Sequence, residues 1–156
     1  MSELAIGDAA PDFTLPTDSD GELSLARFAG RKLVLYFYPK DDTPGCTTEG
    51  KDFSALAAEF EAADTVVVGV SRDSVTAHAK FRNKHGLTVL LGADESGAVT
   101  EAYGVWVAKS MYGKSYMGIE RATFLVGRDG RVAQVWRKVK VPGHAAAVLA
   151  AAKALG

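Results

Sequence analysis

The chain has 156 residues, 47% apolar and 24% charged, with a formal charge of −1, which suits one globular domain over residues 1–156 and gives no pull towards nucleic acid or an acidic membrane surface. No apolar stretch reaches the ~20 residues a membrane helix needs, and the start, Met-Ser-Glu-Leu-Ala, lacks the basic and apolar regions of a signal peptide. One cysteine, Cys46, excludes an internal disulfide framework and fits a reducing, cytoplasmic compartment.

Residues 7–16 read as an extended entry segment, with Phe13 and Leu15 pointing one way. Asp18 to Gly21 is a turn signal and Glu22 to Leu25 a short return strand, so 13–25 is predicted to be a small β-hairpin. Leu33 to Tyr38 is apolar and rich in β-branched and aromatic residues, as a buried strand should be. Pro39 ends it because it has no N–H for a ladder. After a polar turn the pattern becomes helical from Cys46 to about Ala63, with Phe53, Leu56, Ala57 and Phe60 at three- and four-residue steps.

Thr65 to Val70 is a second buried strand. Ser71 to Ser74 supplies caps for a helix that Gly86 stops near His85. Val89 to Leu91 is a short strand, and Asp94 caps a helix through about Tyr103. Residues 105–120 have mixed character, with Gly113, Gly118 and scattered aromatics, and read as irregular. Arg121 to Val126 and Arg131 to Trp136 are strands around the turn Gly127-Arg-Asp-Gly130, and Ala145 to Leu155 is a last helix. Strands alternating with helices predict an α/β protein: a central mixed sheet flanked by helices, with an N-terminal hairpin. The βα–βα–ββ–α order is that of a thioredoxin-like fold.

Cys46 stands where the strand turns into the helix. The first backbone N–H groups of a helix lack intrahelical partners, and the dipole end there is positive; both favour a thiolate, the nucleophilic form. A lone cysteine is ordinarily a small buried apolar residue. Here its neighbours are Gly, Pro, Thr and Asp, which points to a reactive thiol. Thr43, three residues earlier, carries a hydroxyl that both accepts and donates. Pro39 and Pro44 bracket the turn and can shield the sulfur. The Cys46 N–H is free to point at a bound oxygen or anion. The corner itself lacks a fixed positive charge, since Lys40 is flexible. Arg121 can supply one if its strand pairs beside 33–38; otherwise it is an ordinary strand-entry arginine in solvent.

Tyr38-Pro-Lys-Asp-Asp-Thr-Pro-Gly-Cys-Thr-Thr-Glu49 closely resembles the peroxiredoxin active-site motif, and its Thr-Pro-Gly-Cys-Thr form resembles the bacterioferritin-comigratory, or Q-type, branch. The resemblance continues in Gly7-Asp-Ala-Ala-Pro-Asp-Phe, Met111-Tyr-Gly-Lys and Gly118-Ile-Glu-Arg-Ala-Thr-Phe-Leu125. It implies a thiol-specific peroxidase for hydrogen peroxide and organic hydroperoxides. Cys46 attacks the peroxide, Thr43 hydrogen-bonds it, Arg121 orients and polarises it while stabilising the thiolate, and Pro39 shields the sulfur. The product on the protein is a sulfenic acid. No cofactor or metal is implied.

Family members with a second, resolving cysteine carry it five residues on, here Lys51, or on the next helix, here Ala79-Lys-Phe-Arg-Asn-Lys-His-Gly86. Neither contains one, so the chain resembles a one-cysteine member whose sulfenic acid is reduced by an outside thiol, thioredoxin first and glutaredoxin second. A monomer or weak homodimer is expected. A general thiol–disulfide oxidoreductase is disfavoured because Glu49 stands where Cys-x-x-Cys would need its second sulfur. A non-catalytic redox sensor or holdase is the alternative from another class. His78 and His85 are poor evidence for metal without a nearby carboxylate. Arg137-Lys-Val-Lys140 reads as an exposed strand end. Trp106, Met111, Tyr112, Tyr116 and Met117 are expected to pack under a loop rather than line the site.

Overall fold

The structure is a computed structural model and describes residues 4–156, so Met1 to Glu3, read above for a signal, lie outside it. Its centre is β3 (Lys32–Phe37), buried at every position. β4 (Thr65–Ser71) pairs parallel on one side of β3, and β8 (Ala122–Val126) pairs antiparallel on the other. β5 (Leu90–Ala93) and β9 (Val132–Trp136) complete the order β5-β4-β3-β8-β9. β1 (Thr14–Pro16) and β2 (Glu22–Ser24) form the expected N-terminal hairpin.

Successive side chains of a strand point to opposite faces of the sheet, and β3 feeds two cores accordingly. Leu33, Leu35 and Phe37 join one core with Phe13, Leu15 and Leu23 of the first hairpin, and with Val99 and Tyr103 of and just beyond α4 (Ala98–Ala102). Val34, Tyr36 and Tyr38 join the other, covered by α1 (Pro44–Ala55), α2 (Ala57–Ala62), α3 (Val75–His85) and α5 (His144–Ala154). Lys32 is buried too; its ammonium donates to the carbonyls of Ala152 at 2.6 Å and Leu155 at 2.7 Å, so a cation closes the C-terminal end of α5.

Three expectations need correction. The helix read from Cys46 to Ala63 breaks at Leu56, whose N–H turns back to the Phe53 carbonyl at 3.2 Å and leaves two segments, α1 and α2. Residues 105–120 are not irregular: β6 (Trp106–Met111) and β7 (Lys114–Ile119) form a regular antiparallel hairpin. Its two turn residues, Tyr112 and Gly113, have φ of 53° and 77°. A tight hairpin needs such left-handed residues, but tyrosine is a poor advertisement for one, and the signal was lost. Nor do the hairpin aromatics and methionines pack inside: Met111, Tyr112, Tyr116 and Met117 are all exposed, while Trp106 stacks under the Arg72 guanidinium, 3.4 Å from the ring centroid.

Gly69 of β4 pairs with Tyr36, and the ring lies across it: a Cβ there would sit 2.6 Å from the ring. Tyr36 in turn stacks on Phe53 of α1 at 4.6 Å. Gly69→Ala is therefore expected to destabilise the fold by about 1–3 kcal/mol through overpacking. Urea denaturation measures this, and an unchanged midpoint would show that the Tyr36 ring yields freely.

Candidate active site

α1 starts at the end of β3. Thr43 is its N-cap, with extended backbone at φ −97° and ψ 153°, and Pro44 occupies the first helical position, where a missing N–H costs nothing. The first intrahelical bond runs from the Thr47 N–H to the Thr43 carbonyl at 2.8 Å, so the N–H groups of Gly45 and Cys46 precede the ladder. Cys46 is 1% exposed and stands at the floor of this corner.

Antiparallel pairing sets Phe37 of β3 opposite Ala122 of β8, which brings the preceding residue, Arg121, to the same end of the sheet. Its guanidinium spans two groups: Nη2 donates to Cys46 Sγ at 3.4 Å and Nη1 to Glu49 Oε1 at 2.6 Å. The fork passes over Gly45, where a Cβ would stand 3.1 Å from Nη2. Glycine at 45 thus leaves room for the guanidinium to lie close over the first turn of α1. The Thr43 hydroxyl does not cap the helix; it donates to the Lys40 carbonyl at 2.8 Å. Pro39 is exposed at the end of β3. The structure brings Cys46 and Arg121 together, with Thr43 at the head of the same helix.

A family model described as the AhpC/TSA family matches residues 6–135. The chain belongs to that family. Peroxiredoxin Bcp of Xanthomonas campestris is 51% identical over 156 residues, spanning 99% of this chain and 98% of that one. Peroxiredoxin Bcp of Bacillus subtilis is 48% identical over 146 residues, spanning 94% and 93%. A solved structure of the X. campestris bacterioferritin comigratory protein, described in terms of its alkyl peroxide reduction activity, superposes with a TM-score of 0.91 at 49% identity, covering 100% of this chain and 98% of that one. The likeness spans the whole thioredoxin-like fold and sets the chain in the Bcp, or peroxiredoxin Q, branch.

Within this AhpC/TSA site, Glu49 was missed by sequence reasoning as a site residue. Its signal was present: three residues after Cys46 it shares the thiol's helix face. The carboxyl is 1% exposed and only Oε1 is bonded; Oε2 has no partner among the described residues. Burial pushes its pKa up to about 7, against the opposing pull of Arg121. His144 lies behind the site, bonded to the Thr123 hydroxyl at 2.7 Å. Burial, and then the Arg121 charge, hold its pKa down at about 4, so the ring is neutral at pH 7.

The loop that carries Pro39 to Thr43 is clamped by α3. Asp41 is buried and accepts from the Tyr38 hydroxyl at 2.6 Å, with His78 Nδ1 at 2.7 Å on its other oxygen. His78 Nε2 bonds the Gly92 carbonyl at 3.0 Å. Burial disfavours the imidazolium, but its bonds and charge contacts, Asp41 foremost, outweigh that and raise the pKa. Protonated, the ring donates to both acceptors. Asp42, in the left-handed region at φ 59°, is held by Lys84 and His85, each at 2.7 Å. His78 and His85 therefore each have a carboxylate, contrary to the sequence reading, and both serve as struts for the loop. Among the described residues no group of three or more metal-ligating side chains assembles. In the basic run Lys138 and Lys140 are exposed as expected, while Arg137 is half-buried and binds Glu120 at 2.9 Å.

Unfolded, Glu49 titrates near its ordinary value; folded, it holds its proton up to about pH 7. The folded state therefore binds the extra proton between roughly pH 4.5 and 7, and the stability this gives is lost as pH rises through 7. Glu49→Gln keeps the neutral shape, so it is expected to flatten that fall and to be more stable than the parent at pH 8. Urea unfolding at pH 5 and pH 8 tests this; parallel pH slopes for the two proteins would return Glu49 to an ordinary carboxyl.

Proposed function

We propose that the chain is a thiol-dependent peroxidase that reduces hydrogen peroxide and organic hydroperoxides through a sulfenic acid on Cys46. The observation that carries this reading is the Arg121 fork, one nitrogen on the sulfur and the other on a buried carboxyl. A peroxide seated at the head of α1 meets the sulfur, the Arg121 guanidinium, the free Cys46 N–H and the Thr43 hydroxyl. The sulfur attacks the terminal oxygen and the O–O bond breaks. Donors aimed at the oxygens, where charge develops, lower the barrier. Thr43 exchanges its bond to the Lys40 carbonyl for one to the peroxide, and Pro39 stands at the rim of the turn as a shield.

Cys46 is the chain's one cysteine, so the sulfenic acid is resolved by an external thiol. Thioredoxin is our first choice and glutaredoxin our second, in the reducing cytoplasm. A monomer or weak homodimer goes with this reading. No helix among the described residues is long and apolar enough to cross a membrane.

Cys46→Ser is expected to abolish peroxide consumption with dithiothreitol as donor; residual turnover at the parent's rate would sink the mechanism. Thr43→Val is expected to slow Cys46 oxidation about 10-fold or more, less than the roughly 100- to 1,000-fold cost of removing an oxyanion-hole donor because Arg121 and the Cys46 N–H remain. Because this hydroxyl does not cap α1, the thermal midpoint should move little. An unchanged rate would remove Thr43 from the site. Turnover with thioredoxin, against turnover with glutathione plus glutaredoxin, decides the reductant.

A further inference from the structure

The β6–β7 hairpin has no part in the reaction described so far, yet one of its side chains belongs to the site's electrostatics. In an antiparallel pair, residues opposite each other share a face and the next pair along takes the other. Trp106 pairs with Ile119, and both turn towards the core. The opposite face carries the pairs Val107 with Gly118, Lys109 with Tyr116 and Met111 with Lys114. Lys109 is the half-buried cation of that face, and its stem lies flat on Gly118. A Cβ at 118 would come within 3.2 Å of Lys109 Cδ and 3.4 Å of Cε. Gly118 thus leaves a channel along which the lysine lies, and it stands three residues before Arg121.

The ammonium at the end of that stem interacts with the site's charges. Burial and the Arg121 guanidinium lower its pKa, while Cys46 and Glu120 pull the other way. Glu120 is already taken by Arg137, whose guanidinium holds both its oxygens, at 2.9 and 3.3 Å. Glu49 is turned to Arg121. Among the described residues no hydrogen bond or ion pair holds the Lys109 ammonium. The stem runs from the Lys109–Tyr116 pair over Gly118, towards the end of β7 that Arg121 follows, so the half-buried ammonium lies within electrostatic reach of the site, with three protons and no acceptor.

The reaction has an unmet need of the same kind. When the sulfur takes the terminal oxygen of a hydroperoxide, the other oxygen departs with the electron pair of the O–O bond. As an anion it is a poor leaving group, since even water has a pKa of about 15.7. Arg121 can stabilise that charge but cannot surrender a proton, because guanidinium stays protonated in proteins. A lysine can.

We propose that Lys109 is a further catalytic residue of the peroxidase reaction, the acid that protonates the departing oxygen. The inference rests on the peroxidase reading above. The balance is complete: the S–O bond forms, the O–O bond breaks, sulfur is oxidised to the sulfenic acid, and the peroxide is reduced. The departing alkoxide or hydroxide takes one proton from Lys109, which becomes a neutral amine and regains its proton from solvent. The lowered proton affinity of Lys109 suits that task.

The test varies the leaving group. Cys46 oxidation is followed by stopped flow in the parent and in Lys109→Met, which keeps the length of the stem and removes the acid. Three oxidants are compared: hydrogen peroxide, tert-butyl hydroperoxide and peracetic acid. The first two expel hydroxide and an alkoxide, which need a proton. The third expels acetate, a carboxylate with a pKa of about 4, which does not. Lys109→Met is expected to lose about 10- to 100-fold with the first two, at or just below the usual range for a general acid, and less than about 3-fold with peracetic acid. Lys109→Arg keeps the charge without a transferable proton and should behave as the Met variant does. Equal losses with all three oxidants, or full rescue by arginine, would overturn the proposal in favour of a charge that merely supports the sulfur. No loss with any oxidant would remove Lys109 from the chemistry while leaving the peroxidase intact. A parent protein that reduces none of the three would instead bring down the peroxidase reading itself.

Discussion

The arrangement of this site depends on one guanidinium. Arg121 joins a sulfur and a carboxyl that lie one helical turn apart on α1, and it arrives from the far side of β3. An arginine fork suits this because its donors are coplanar and its charge is permanent. A buried carboxyl that is half satisfied is costly by itself. Glu49 is tolerated here because it fixes the fork and because it can keep its proton to about pH 7. The same contact aims the second nitrogen at Cys46, so orientation of the cation and placement of the thiol are one event.

Two features of the backbone make that contact geometrically possible. The β3–β8 register sets Arg121 level with the end of β3. Gly45, in the first turn of α1, has no side chain to crowd the guanidinium that lies over it. A shift of one residue in the register would turn Arg121 to the other face of the sheet, and the thiol would keep its helix terminus but lose its cation. The loop ahead of Cys46 is fixed from the opposite side. Asp41 and Asp42 are tied to His78, Lys84 and His85, so α3 holds the turn at which α1 begins. The thiol thus sits between a strand that supplies charge and a helix that supplies rigidity.

The sequence is informative wherever an element is decided by its own residues. β3 and β4 declare themselves by unbroken β-branched and aromatic runs, the N-terminal hairpin by its Asp-Gly turn, and α3 by Ser74, which accepts from the Ala77 N–H at 3.1 Å, and by Gly86 at φ 65°. It is uninformative where a local preference is overruled. Tyr112 occupies a left-handed turn position that its own chemistry disfavours, so the hairpin around it reads as irregular. The hairpin's methionines and tyrosines are of core type and stand in solvent. Spacing suggested no carboxylate for either histidine, because Asp41 and Asp42 lie about forty residues upstream of them and meet them only across the folded chain.

By itself, then, the chain determined a mixed α/β layout and a lone thiol at a strand-to-helix corner, because periodicity, Pro, Gly and a cap residue act over a few positions. It also carried the motif that ties the corner to its family. Only the tertiary structure decided which charges reach the sulfur. Arg121 stands 75 residues from Cys46 along the chain; its place at a strand start made it a candidate, but only the β3–β8 pairing puts its Nη2 3.4 Å from the sulfur, and nothing in local pattern marked Lys109, 63 residues away. Electrostatic contact is set by distance in space, and that distance is created by sheet pairing and by the absence of a side chain at Gly45 and Gly118, features that become meaningful only once the strands have met.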